Sequence, residues 1–234
     1  MLERKGKMEK FSLADVANLQ DPQVLWEQAG PFMNLMLQYE SALLEMETKL
    51  KILNEEFSIQ HNRNPFESIK TRVKQPLSIM EKLRRKGFPT TLESIEENLF
   101  DVAGLRIICS FIDDIYSLAN LLIQQDDVRL LMKKDYIVHP KPNGYRSLHL
   151  IMEIPIFLST GKKNIKVEVQ FRTIAMDFWA SLDHKLHYKK DLPNADEISE
   201  ELRECADIIT ALDERMERIR NRIEMTEKDE GWKK

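Results

Sequence analysis

The residues best suited to chemistry lie in a few short clusters, and the first is Lys166-Val167-Glu168-Val169-Gln170-Phe171-Arg172. Polar and apolar residues alternate there at a period of two, so on a strand Val167, Val169 and Phe171 face a core while Lys166, Glu168, Gln170 and Arg172 share the other face. Such a face is ordinarily the solvated side of an antiparallel sheet. Glu168 therefore becomes a candidate through its company. The nearest companion is Asp101-Val102-Ala103-Gly104-Leu105-Arg106. Hard oxygen ligands suit Mg²⁺, which is commonly held by one or two carboxylates together with substrate phosphates. If Asp101 approaches Glu168, the two form that pair; otherwise Asp101 reads as a turn or cap residue. Arg106 has the opposite parity to Asp101 in a regular strand, so both reach one site only if the backbone breaks regularity at Gly104 or at the strand start.

A second set is cationic. In Arg72-Val73-Lys74-Gln75-Pro76-Leu77-Ser78-Ile79-Met80-Glu81-Lys82-Leu83-Arg84-Arg85, Pro76 is placed for a helix N-terminus. On that helix Ser78, Lys82 and Arg85 form one polar stripe at i, i+4 and i+7, with Ile79 and Leu83 on another side. Arg72 and Lys74 precede it, so five groups converge near one helix start, an arrangement suited to a triphosphate. Neither G-x-x-x-x-G-K-[ST] nor G-x-G-x-x-G occurs, which removes the familiar phosphate loops. Basic residues concentrate from Lys70 to Lys86 against one acid, Glu81. That density suits an anionic ligand, and a basic surface helix is the plain alternative.

Two further stretches complete the inventory. His139-Pro140-Lys141-Pro142-Asn143-Gly144-Tyr145-Arg146-Ser147-Leu148-His149 offers a ring on which a base can stack and, in Lys141, Arg146 and His149, donors for phosphate. Tyr145 just after a turn equally reads as packing. On the helix around Asp177-Phe178-Trp179-Ala180-Ser181-Leu182-Asp183-His184, the residues Asp177, Ser181, His184 and Tyr188 lie along one side. Asp183, His184 and His187 lack a zinc spacing, and no G-x-S-x-G is present.

These residues need elements to position them. The 234 residues are 42% hydrophobic and 32% charged, with a net charge of −4, enough apolar content for a sizeable core in one domain. No apolar run reaches the ~18 residues of a membrane span, and the charged N-terminus is unlike a secretory signal. The protein is expected in the cytoplasm. Cys109 and Cys205 both fall in apolar patterns and read as buried thiols rather than a bridge. A leader, residues 1–30, carries little pattern. From Phe32 the apolar residues Met36, Tyr39, Leu43, Met46, Leu50, Leu53 and Phe57 follow in steps of four and three, a long helix. The same spacing returns at Ile198, Leu202, Cys205, Ile209, Leu212, Met216, Ile219 and Ile223. These two helices can pack on each other, on a sheet or across a subunit boundary. Between them lie strands at Val102 to Ile112, Leu130 to Ile137, Ser147 to Ile154 and Ile165 to Arg172. Asp113 or Asp114 is placed to cap one helix, and Thr173 to cap another running to about Tyr188. Pro193 interrupts the link to the last helix. The expected class is α+β, one mixed sheet of about five strands flanked by helices, with long N- and C-terminal helices. A single domain spans 31–225, its core 64–190 and its last helix 195–225, before a tail, 226–234.

Arg-x-Lys-x-x-x-Ser-Ile-x-x-Lys (Arg72 to Lys82), Asp-x-x-Gly-Leu-Arg-Ile (Asp101 to Ile107), Gly-Tyr-Arg-Ser-x-His (Gly144 to His149) and Glu-Val-Gln-x-Arg-Thr (Glu168 to Thr173) resemble, in this order, the synthetase domain of RelA/SpoT homologues. With the bracketing helices, the chain is most similar to the stand-alone small alarmone synthetases of the RelP type. The resemblance implies a nucleotidyltransferase-like sheet, a homotetramer, and transfer of the β,γ-pyrophosphate of ATP to the 3′-hydroxyl of GDP or GTP, giving ppGpp or pppGpp and AMP. It implies that Arg72, Lys74, Ser78, Lys82 and Arg85 hold ATP, with Arg106 stacked on adenine. Asp101 and Glu168 would bind Mg²⁺, Glu168 would also draw the proton from the attacking hydroxyl, and Gln170 would support the site. Tyr145 would stack on guanine, Lys141 and His149 would meet the acceptor's phosphates, and Asp177 the guanine edge. Asp183 stands where the family usually has Glu before His. Long relatives carry a hydrolase domain with a His-Asp dipeptide, which this sequence lacks, so synthesis without hydrolysis is expected. The other readings are a nucleotidyltransferase that releases pyrophosphate instead of AMP, and an RNA-binding homologue using the basic segment; RNA is compatible with the resemblance but not required.

Overall fold

The strand pattern that separates apolar from charged residues is realised as a sheet with one covered face and one working face. The computed structural model describes residues 22–187 and 195–231. Tyr188, Pro193, most of the expected leader and the last three residues of the tail lie outside the described residues. The elements in order are α1 (Pro22–His61), β1 (Phe66–Val73), α2 (Pro76–Arg85), α3 (Leu92–Asn98), β2 (Ala103–Cys109), α4 (Ile112–Ile123), β3 (Arg129–Asp135), β4 (Leu148–Leu158), β5 (Gly161–Thr173), α5 (Ile174–His187) and α6 (Ala195–Gly231). The first helix starts at Pro22, ten residues before Phe32, so the 22–30 part of the expected leader is helical.

The five strands run in the order β1-β2-β5-β4-β3. β2 and β5 are parallel and every other pair is antiparallel. In β5, Val167, Val169 and Phe171 are fully buried, as their parity requires, and they join Leu105 and Ile107 of β2 in one core. That core is closed by Leu43, Met46 and Leu50 of α1 and by Leu118 and Leu122 of α4. The α1 seam therefore packs on the sheet. On α6 the apolar cover lies in the first half: Leu202 and Ala206 are buried against Trp179 and Ala180 of α5, whereas Leu212, Met216 and Ile223 are at least half exposed.

Three expectations are corrected. Cys205 is exposed and only Cys109 is buried; the buried line of α6 runs through Leu202, Ala206 and Asp213, and Cys205 lies beside it. The N-cap of α4 is Phe111, so Asp113 and Asp114 sit inside its first turn, where carboxylates are still favoured by the helix dipole. There they meet arginines: Asp114 accepts from Arg63 at 2.8 Å and Asp113 pairs with Arg220. The strand boundaries also shift, and β1 and α3 add two elements that no apolar period announced. β1 is an edge strand of half-buried and exposed residues, and α3 is a short capped helix of about two turns in which Thr91 accepts from the amide of Ser94.

The expected caps at Pro76 and Thr173 are present. Pro76 opens α2, and the Thr173 hydroxyl accepts from the amide of Met176 at 3.1 Å in the first turn of α5. Gly144 is held against α6 at a φ of +86°, and a Cβ there would lie 2.5 Å from the Ala206 Cβ. Gly144→Ala should therefore lower stability by more than ~1 kcal/mol. A denaturant melt would read this as a lower midpoint with an unchanged slope.

Candidate functional site

The parallel register between β2 and β5 assembles the working face. Gly104 lies opposite Glu168 and Arg106 opposite Gln170, while β1 places Arg72 beside Gly104 and Lys70 beside Arg106. Since residues of like parity share a face, Lys70, Arg72, Gly104, Arg106, Glu168 and Gln170 line one cavity of about 330 Å³. Gly104 contributes no side chain between Arg72 and Glu168, which leaves the floor open. Asp101 joins the same wall although its parity is wrong for Arg106. It stands two residues before β2 begins, so no strand alternation binds it. A larger hollow of about 400 Å³ is lined, among the described residues, by Ile219, Arg222, Ile223 and Thr226 of α6, with no carboxylate among them.

Charge on this face is paired in two groups. Lys74 and Lys82 both donate to Asp101 Oδ2, each at 2.5 Å. Burial pushes the Asp101 carboxyl up, but the hydrogen bonds and charge of the two lysines outweigh it, and the net shift is down. Lys74 also moves down, chiefly through burial that its share of Asp101 offsets only in part, with Lys82 and Arg72 adding repulsion. The second group surrounds Asp177 in the first turn of α5, which accepts from Arg172 at 2.9 Å and Arg106 at 3.3 Å and pairs with Lys70 at 3.5 Å. Burial lowers the Arg106 pKa, and repulsion from Arg172 adds to this against the attraction of Asp177.

Glu168 lies between these groups. Oε1 contacts His149 Nδ1 at 3.1 Å, and Oε2 accepts from the Gln170 amide at 3.1 Å. Burial pushes this carboxyl up and the negative charge of Asp101 adds to that, yet His149 and Gln170 bring the net shift down. Asp101 and Glu168 line the same cavity. Asp101 Oδ1 is buried without a hydrogen-bond partner. An orphaned carboxylate oxygen beside a second carboxylate fits a hard divalent cation, and among the described residues no three His, Cys, Asp or Glu gather into a protein-only cage.

Tyr145, His149, Lys141 and Tyr136 form a cluster at the N-terminal end of β4. Tyr145 Oη is 2.8 Å from His149 Nε2, and the two rings meet edge to face at 5.9 Å. Lys141 Nζ stands 4.7 Å from the Tyr145 ring centre and 4.8 Å from that of Tyr136. Ser78 and Arg85 are exposed on α2 and line no part of the cavity, while Lys82 of the same stripe reaches Asp101. The structure thus gathers Asp101, Arg72, Arg106, Glu168 and Gln170 around one space, ties Lys74 and Lys82 to its rim, and links Tyr145, His149 and Asp177 to it through hydrogen bonds.

Three residues at the site were not singled out from the sequence. Arg172, nearly fully buried, donates to both Asp177 and Tyr145; its parity with Glu168 and Gln170 was the available signal. Lys70 was visible only as part of a basic run. Tyr136 packs edge to face on His149 at 5.3 Å, and nothing in its local pattern marks it.

Comparison with known proteins gives the following. Residues 71–192 match the model of the region found in RelA / SpoT proteins. GTP pyrophosphokinase YwaC of Bacillus subtilis (strain 168) is 48% identical over 191 residues, 82% of this chain and 91% of that protein. The crystal structure of small alarmone synthetase 2 from Bacillus subtilis superposes with a TM-score of 0.73 at 47% identity, covering 82% of this chain and 98% of the other. That of small alarmone synthetase 1 from Bacillus subtilis bound to its product pppGpp gives 0.75 at 36% identity, covering 83% and 98%.

Asp101 ionises below its ordinary 3.8 in the folded protein, so the stability its charged form contributes is present above the unfolded value and is lost as pH falls through the folded one. Asp101→Asn should therefore be less stable than wild type by a constant margin from about pH 8 to about pH 5, with the gap closing below about pH 4. Denaturant midpoints across that series measure it.

Proposed function

This chain belongs to the RelA/SpoT family, and from that premise we propose that it is a (p)ppGpp synthetase, transferring the β,γ-pyrophosphate of ATP to the 3′-hydroxyl of GDP or GTP and releasing AMP, without hydrolase activity. The observation that carries this reading is the cavity in which Asp101 and Glu168 share walls with Arg72 and Arg106. Transfer to a hydroxyl asks for in-line placement and neutralisation of phosphate charge more than for a covalent intermediate.

On this reading Arg72, Lys74, Ser78, Lys82 and Arg85 hold the ATP phosphates and flank adenine, with Arg106 on its other side. Tyr145 carries guanine, Lys141 and His149 take the acceptor phosphates, and Asp177 takes the guanine edge. Glu168 accepts the 3′-hydroxyl proton as the oxygen attacks the β-phosphorus, and Gln170 holds the second carboxylate oxygen. Mg²⁺ is the cation we assign to Asp101 and Glu168, where it would neutralise charge on the transferred group. Lys74 and Lys82, now committed to Asp101, are the cations that substrate phosphates would share.

The assembly we assign is a homotetramer, supported by the exposed apolar line of Leu212, Met216, Ile219 and Ile223 on α6. No described helix is long and apolar enough to cross a membrane, which agrees with a cytoplasmic location. Lys70, Lys74 and Lys82 of the basic segment pair with Asp177 and Asp101, which supports a role for them toward the substrate; RNA is compatible with this reading but not required.

Purified protein given ATP, GDP and Mg²⁺ should yield AMP and ppGpp in equal amounts on anion-exchange chromatography, and chelation of the metal should stop the reaction. Glu168→Gln should reduce turnover at least ~100-fold while the circular-dichroism spectrum stays that of the wild-type fold. Release of inorganic pyrophosphate in place of AMP, or a fully active Glu168→Gln variant, overturns the assignment.

A further inference from the structure

The hydroxyl of Tyr145 has a role that its ring does not explain. Its oxygen is 2.8 Å from Arg172 Nη2 and 2.8 Å from His149 Nε2. A guanidinium only donates, so the phenol oxygen accepts from Arg172; an ionised Glu168 only accepts, so in a neutral His149 ring the proton is on Nδ1 and the phenol's own proton is directed to Nε2. Nε2 of that ring is then the acceptor, its proton resides on Nδ1, and Nδ1 donates to Glu168 Oε1 at 3.1 Å. The order of donation runs one way, from Arg172 through Tyr145 and His149 to the carboxylate. Arg172 is itself fixed at the head of the chain, for Nη1 donates to Asp177 Oδ1 at 2.9 Å and the side chain is only 6% exposed. At the far end, Gln170 holds the remaining oxygen of Glu168.

We infer that Arg172, the Tyr145 hydroxyl and His149 form a directional hydrogen-bond chain that aims the Glu168 carboxylate, making Arg172 and His149 positioning residues and giving Tyr145 a second function beside stacking. This rests on the reading of Glu168 as the group that takes the 3′-hydroxyl proton. It has a physical consequence: the ring that carries the acceptor base and the carboxylate that serves its ribose are parts of one bonded unit. A seated base that settles Tyr145 also settles Glu168. If Tyr145 served only as a platform, its hydroxyl would be dispensable.

The test separates ring from hydroxyl. Tyr145→Phe keeps the stacking face and removes the link, so kcat should fall about tenfold while KM for GDP and for ATP stays within about twofold, as expected when a group that orients an active-site ligand is lost. Arg172→Lys keeps a charge for Asp177 but cannot span both partners; it should lower kcat similarly, and the double variant should be no slower than the worse single one. In substrate-free protein, the ¹⁵N spectrum of the His149 ring, identified by its loss in His149→Gln, should report the Nδ1–H tautomer in wild type. A Tyr145→Phe enzyme with wild-type kcat, a loss confined to KM, or an Nε2–H tautomer overturns the chain. The tautomer is read without turnover, so it judges the chain even if the wild-type protein makes no ppGpp, a result that would count against the proposed function instead. Tyr145→Ala separately tests the platform, through a raised KM for GDP.

Discussion

The parallel register between β2 and β5 is the constraint on which the site depends. It sets Gly104 against Glu168 and Arg106 against Gln170, with the gap at Gly104 opening the space in front of the carboxylate. A slip of one residue would turn Val167 and Val169 toward the cavity and bury Glu168 in the core, because alternate side chains point to opposite faces. The burial of Val167, Val169 and Phe171 under α1 and α4 therefore does two things at once. It adds to the apolar burial supplied by β2 and β4, and it holds Lys166, Glu168, Gln170 and Arg172 on the opposite side.

Holding so many charges on one half-buried face would be costly if they were unpaired. The pairing is divided so that each carboxylate has its own donors: Lys74 and Lys82 for Asp101, His149 and Gln170 for Glu168, and Arg172, Arg106 and Lys70 for Asp177. Asp101 and Glu168 stay ionised below their ordinary range despite burial. A metal ligand needs that state. The cations are not saturated by these acids, and Arg72 lines the cavity without a carboxylate of its own among the described ion pairs.

The legible parts of the fold were those with a strong period. β5 and its face assignment, the α1 seam, Pro76 at the start of α2 and the Thr173 cap could each be read locally, since each rests on interactions within a few residues. β1 escaped because an edge strand buries little and shows no apolar alternation, and α3 because seven residues carry too short a pattern. Cys205 was misplaced for a related reason: spacing names a helix stripe, but which of two adjacent lines is buried depends on the partner, here Trp179 and Ala180 of α5.

The amino-acid sequence by itself determined which residues are chemically capable: two acids, a run of cations around Pro76, a tyrosine after a turn, and a strand with one polar face. It also determined the family, because the order of those motifs is specific even where each alone is weak. Only the tertiary structure decided that Asp101 reaches the same cavity as Arg106, since that turns on where β2 begins. Only it revealed that Arg172, Tyr145, His149 and Glu168 form one bonded path. Residues 145, 149, 168 and 172 meet through the antiparallel pairing of β4 with β5, with Glu168 opposite Ile151 and Gln170 opposite His149. Cross-strand register of that kind is fixed by long-range packing, which no local spacing encodes.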